Sequence, residues 1–283
     1  MDDRLPRHPL GATGLRITPL ALAAWSVRTY RSDRHRLTAD HVERAYHEHG
    51  INTFLFHFLM HPLVEGLRRL IRAGHRDDLV LMAEAGIPTG RLVRRSWDRH
   101  ARALGTEWID VFLLGWVRAR WYLTGHTWTA MERLRETGGV RAIGYSSHDR
   151  PLAARLAREF VPDVLMLRYN AAHRGAEQDV FSTLPDPRPG IIAYTATRWG
   201  MLLRPLPARG FPQAMTAGDC YRFALTHPSV DLVLCAARSA EELREDVAAV
   251  RHGPLEGDQL EGIRRFGDAV HAAARGGRRW MFQ

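Results

Sequence analysis

Gly50-Ile51-Asn52-Thr53-Phe54-Leu55-Phe56-His57-Phe58-Leu59-Met60-His61 decides how the chain is read. The run from Thr38 to His49 before it has helical patterning, and Gly50 stands where a helix C-cap needs a left-handed backbone. Thr53-Phe54-Leu55-Phe56 is too apolar and too short for anything but a strand or a buried turn. Two histidines, His57 and His61, follow where that strand gives way to a loop.

Working outward, strand-like and helix-like segments alternate along the whole chain. Residues 8 to 25 read as a short hairpin, turning at Gly11-Ala12-Thr13-Gly14, that leads into a first strand ending near Trp25. Further strands are predicted near 51–57, 79–84, 108–114, 141–146, 163–169, 190–195 and 231–235. Amphipathic runs lie between them, at 62–73, 91–104, 128–137, 151–160, 219–226 and 240–250, several opening on a Ser, Thr or Asp able to cap them. That is the inventory of a (β/α)8 TIM barrel. A doubly wound open sheet would use the same alternation, but the first strand lacks the G-x-G-x-x-G turn of the dinucleotide-binding version. One further helical run, 257–274, precedes a basic tail ending in Trp-Met-Phe-Gln. The expectation is one domain over residues 1–283, with the barrel at about 16–250 and an added C-terminal helix and tail at 251–283.

Composition limits the chemistry. All 40 Lys+Arg residues are arginine, so Schiff-base formation and lysine acid/base catalysis through a side chain are excluded. The formal charge of +9 is spread along helical faces rather than gathered in a block, which argues against nucleic acid as a partner. The longest apolar runs have strand length and the first residues are not a signal sequence, so a cytoplasmic protein without a membrane span is expected. Cys220 and Cys235 make neither a disulfide framework nor a four-ligand zinc site.

Several segments, in order from about residue 8 to residue 250, resemble the aldo/keto reductases. Pro9-Leu10-Gly11-Ala12-Thr13-Gly14-Leu15 resembles their opening hairpin, and Gly50-Ile51-Asn52 the start of their second strand. Gly139-Val140-Arg141-Ala142-Ile143-Gly144-Tyr145-Ser146 is similar to strand five, Arg168-Tyr169-Asn170 to strand six, and Ile192-Ala193-Tyr194-Thr195 to strand seven. Ala237-Arg238-Ser239-Ala240-Glu241-Glu242-Leu243 resembles the cofactor-binding turn after strand eight. The resemblance implies a barrel that binds NADPH across the carboxyl ends of its strands and reduces carbonyls with an Asp, Tyr, Lys and His tetrad. Aligned on the local motifs, those four positions fall on Leu55, Met60, Glu84 and Gly115, so the chain reads as a divergent branch without the tetrad. NADPH stays a candidate cofactor on partial grounds. Ser146 matches the serine that holds the carboxamide, Tyr194 the stacking aromatic, and Arg198, Arg238, Ser239 and Arg244 could meet phosphate, whereas Ser147, Met166 and Asp246 depart from the pattern. A capped, solvated helix start explains Arg238, Ser239 and Arg244 equally well.

In a parallel barrel the loops after the strands build the site, which nominates Glu84, His57, Arg168 and Tyr169 as catalytic, with Trp116, His148 and Asn170 nearby. Glu84 ranks first, as a carboxylate in an apolar mouth between Leu55, Met60 and Gly115; it would serve as a general acid or base, or fill the space in an ion pair with Arg168. His57, His61 and Glu84 also make a two-histidine, one-carboxylate set, ranked below ordinary hydrogen-bonded histidines, so no metal is expected. Three readings follow: a non-reductive isomerase, lyase or cyclase acting on a small molecule; an NADP(H)-dependent oxidoreductase whose proton comes from another group, such as Tyr169, Tyr30 or water; and a catalytically silent ligand-binding barrel. The first is preferred.

Overall fold

The computed structural model describes residues 4–24, 38–56, 61–86, 88–123 and 125–276. Gly50 takes φ 69°. Its N–H donates to the Tyr46 carbonyl at 3.1 Å while that of Ile51 reaches back to Ala45 at 2.9 Å. This pair of bonds closes α1 (Ala39–His47), which Thr38 opens by accepting from the His41 amide. The chain then enters β4 (Thr53–Phe56), buried at every position. His57 to Met60, and the side chain of His61, lie outside the described residues.

The remaining elements follow the predicted order. A hairpin of β1 (His8–Pro9) and β2 (Arg16–Ile17) leads into β3 (Leu20–Ala24). After β4 come α2 (His61–Arg72), β5 (Val80–Ala85), α3 (Gly90–Leu104), β6 (Ile109–Leu114), α4 (His126–Glu136), β7 (Val140–Ser147) and α5 (Arg150–Phe160). The chain continues through β8 (Val164–Arg168), α6 (Ala176–Asp179), β9 (Gly190–Tyr194), α7 (Ala217–Thr226), β10 (Leu232–Cys235), α8 (Ala240–Arg251) and α9 (Gly257–Gly276). Strands β3 to β10 run parallel and close into a barrel when β10 pairs with β3. Trp25, Tyr30 and the tail from residue 277 lie outside the described residues.

Alternate residues of these strands face opposite ways. Ala21, Leu55, Val80, Met82, Val111, Leu113, Ala142, Val164, Met166, Ile192 and Leu232 fill the interior. Phe54, Phe56, Leu81, Phe112, Ile143, Tyr145, Leu165 and Leu167 pack under the helices. Leu10, Leu15 and Ile17 of the hairpin join the interior set and plug the end where the strands begin. The contact is close, since a Cβ added to Gly190 would stand 2.5 Å from Leu10 Cδ1.

Aspartates bind the same end together. Asp110 accepts from the Leu81 amide at 2.9 Å, Asp163 from Ile143 at 2.9 Å and Asp231 from Ile191 at 2.8 Å, each spanning to a neighbouring strand. Among the described residues no helix is long and apolar enough to cross a membrane.

Candidate active site at the barrel mouth

Period two places Glu84, Ser146, Arg168 and Tyr194 on the inward faces of β5, β7, β8 and β9, one step above the interior layer that holds Met82 and Met166. Arg168 and Tyr194 are register partners across β8 and β9. Glu84 is 3% exposed, and a Cβ built on Gly115 would lie 3.7 Å from its carboxyl carbon. The expected neighbourhood of Glu84 with Gly115 is therefore present. The expected ion pair is not: among the described residues no salt bridge joins Arg168 to Glu84.

The loops after β6, β7, β8 and β9 complete the mouth. Trp116, at φ 54°, donates its amide to Ser146 Oγ at 2.9 Å, and the Val117 amide reaches the Ser146 carbonyl at 2.8 Å. Ser146 thus uses an oxygen lone pair on the scaffold and keeps its own O–H to donate. His148 follows β7 and meets Tyr194 edge-on, ring centroids 5.2 Å apart at 87°. Tyr194 donates its hydroxyl to the Ser147 carbonyl at 3.3 Å. Asn170 ties the two later loops, donating to the Thr195 carbonyl at 2.8 Å and accepting from the Ala172 amide at 3.1 Å. Arg198, 7% exposed at φ 51°, is carried by the turn whose Arg198 amide bonds Thr195.

Charge in the mouth is unevenly balanced. Burial depresses the pKa of His148, the fields of Arg168 and Arg118 push the same way, and Glu84 opposes them. Burial lowers Arg168, and burial followed by the field of Arg168 lowers Arg198. His173 falls to about 3, through burial and then the positive charges of Arg168, Arg198, His271 and Arg150. Burial also raises Tyr194.

One nominated residue, Tyr169, is corrected by its orientation. Tyr169 faces outward: it packs on Phe181 and Phe223, and its hydroxyl donates to Glu177 Oε1 at 2.7 Å. Burial lifts its pKa. It follows Arg168 directly, so an inward Arg168 sends Tyr169 to the helix side and removes it as a proton donor to the mouth. Asp246, aligned with an adenine contact, is 5% exposed beneath α8 and accepts from Cys235 Sγ at 3.4 Å.

The turn after β10 is engaged internally. Arg238 Nη2 meets Glu242 Oε1 at 2.7 Å, Ser239 caps α8 by accepting from the Glu242 amide at 3.1 Å, and exposed Arg244 pairs with Glu241 at 3.1 Å. Ser239 thus serves as the N-cap of α8. Cys220 and Cys235 are both free and buried. Among the described residues no group of three His, Cys, Asp or Glu is placed to hold a metal ion, and the set of His57, His61 and Glu84 reaches outside them.

His148 carried only its position after a strand in the sequence. Its tie to Glu84 and Tyr194 comes from long-range register, and the shape of its loop has no sequence signal beyond Asp149, which caps α5.

The architecture defines the class: a (β/α)8 barrel with polar groups collected where its strands end. The aldo/keto reductase family model matches residues 85–206. By fold it is similar to aldo-keto reductase AKR11C1 from Bacillus halodurans in its holo form, at 19% identity and TM-score 0.74, covering 93% of this chain and 96% of that one. It is also similar to PA4992 from Pseudomonas aeruginosa, assigned as an aldo-keto reductase, at 21% identity and TM-score 0.67, covering 87% and 94%. Comparison with curated protein sequences finds no significant match.

Proposed function

We propose that the chain is a non-reductive small-molecule enzyme of isomerase, lyase or cyclase type, acting as one cytoplasmic barrel domain, in which Glu84 and His148 move protons at the mouth. The observation that carries the reading is a buried carboxylate and a partly buried imidazole in one field, on the face where barrels of this class keep their chemistry. Burial and two arginines hold His148 toward its neutral form, which suits it to accept a proton, and Glu84 stabilises the charged form once the proton arrives. Leu55, Met60, Glu84 and Gly115 at the tetrad positions leave the family's carbonyl reduction without its usual proton donor. His57, first assigned the histidine role, lies outside the described residues.

NADP(H) fits the mouth in part. The Ser146 O–H and the Tyr194 ring suit a nicotinamide, but Arg238 is held by Glu242, and a buried Asp246 offers nothing to an adenine. No step is routed through it. The nicotinamide half is also the observation that favours the second reading, an oxidoreductase with another proton donor.

Solvent exchange tests the proposal. A panel of small keto acids, hydroxy acids and sugar phosphates incubated with protein in D2O should show, by NMR, catalysed deuterium incorporation beside a carbonyl in at least one compound. Glu84→Gln should abolish it with the circular dichroism spectrum unchanged. Saturable NADPH fluorescence binding together with carbonyl reduction that survives Glu84→Gln would establish the second reading instead.

A further inference from the structure

We propose that the mouth holds an anionic group of its ligand, a carboxylate or a phosphate, between Arg168, Arg198 and His148. This rests on the mouth being a small-molecule site and adds what class of molecule it takes.

Three buried nitrogens carry the argument. Arg168 Nε, Arg198 Nη1 and His148 Nδ1 are all shielded from solvent and have no hydrogen-bond partner among the described residues. Buried polar groups are nearly always paired, because an unmet donor forfeits its hydration without replacement. A group with several acceptor oxygens would meet all three at once, and a guanidinium presents its N–H groups in a fork that matches carboxylate and phosphate.

The scaffold brings these groups together and keeps acid away from two of them. Arg168 tops the inward face of β8, and Asn170, two residues on, ties its loop to the Thr195 carbonyl of the turn that presents Arg198. Other arginines around the barrel have carboxylates: Arg76 has Asp110, Arg150 has Asp179 and Arg188 has Asp231. Among the described residues neither Arg168 nor Arg198 has one. The Arg168 charge acts on Arg198, and burial together with both arginines lowers the pKa of His173 beside them. An arrangement of buried like charges is unfavourable by itself and becomes favourable when an anion enters. Glu84 lies across the mouth, so an anion anchored at the arginine side would leave the rest of the ligand facing the carboxylate.

Isothermal titration of the full chain with inorganic phosphate and with succinate, at low ionic strength, tests this. Saturable binding of one probe at one site is expected, and which probe binds more tightly separates the phosphate source from the carboxylate source. Arg198→Gln and Arg168→Gln should each weaken that binding at least tenfold, whereas Arg91→Gln on the outer helix α3 should not. Thermal melts of both variants guard against a folding defect, and either variant alone suffices. No saturable binding of either probe, or equal binding by wild type and both mutants, would falsify the anion site. If phosphate binds through these arginines while no deuterium exchange is found, the anion site stands and the proton-shuttling reading falls. Exchange that needs Glu84 but is indifferent to both arginines gives the reverse.

Discussion

Asp246 makes the stability of the fold depend on pH. It lies on the inner side of α8 with Leu243, Val247 and Val250, and burial raises its pKa to about 7, against the opposing help of the Cys235 thiol. The folded chain therefore keeps a proton that the unfolded chain releases near pH 4. Stability is complete below that point and falls as pH rises through about 7. The shift corresponds to a loss on the order of 4 kcal/mol. Asp246→Asn keeps an acceptor for the thiol and does not ionise, so its urea midpoint should exceed that of the wild type at pH 8 and approach it at pH 4. Parallel midpoints across that range would mean that Asp246 is ionised when folded. Its burial was legible, because 243, 246, 247 and 250 share a helical face. The same period arithmetic separates Arg168 from Tyr169. Strand alternation puts only Arg168 of the two in the mouth.

Strands were the most legible elements, because a parallel barrel buries both faces and every strand becomes a short apolar run. What stabilises their pairing is less visible. Asp110, fully buried, takes Arg76 at 2.9 Å and Arg141 at 3.2 Å while accepting from Leu81, so it joins β5, β6 and β7 at their starting end. Asp110→Ala would leave Arg76 buried with its charge unmet and should cost about 3–5 kcal/mol in a urea unfolding curve. Asp163→Ala, whose partner Arg135 is largely solvated, should cost nearer 1 kcal/mol, from the lost Ile143 hydrogen bond. Equal losses would show that burial of the arginine is not what separates them. The least legible element is the turn from Thr195 to Gly200. Thr195, Arg198 and Trp199 adopt φ of 55°, 51° and 52°, conformations that sequence normally announces with glycine. Nothing in Thr-Ala-Thr-Arg-Trp announces them, so the burial of Arg198 beside Arg168 could be seen only once the chain was folded.

The whole barrel divides its labour between two ends, and the division can be tested as a unit. Where the strands begin, aspartates and the hairpin plug serve stability; where they end, Glu84, Ser146, Arg168 and Tyr194 collect with few carboxylate partners. Gly190 sits at the first of these ends. Any Cβ there would press on Leu10 at 2.5 Å and force the hairpin away from the interior. Gly190→Val should therefore destabilise the fold by the cost of overpacking, about 1–3 kcal/mol, and lower the unfolding midpoint accordingly. It should leave the phosphate or succinate affinity of the mouth unchanged, because β9 spans the barrel between Gly190 and Tyr194 and its register with β8 is held by backbone bonds along the strand. Arg168→Gln should do the opposite, weakening the anion tenfold while holding or raising the midpoint, since it removes a half-buried charge that has no carboxylate among the described residues. Paired unfolding and titration measurements on the two variants decide the matter. If Gly190→Val weakens anion binding as much as Arg168→Gln does, the two ends are coupled through the strands and the barrel is not the rigid frame that this division requires.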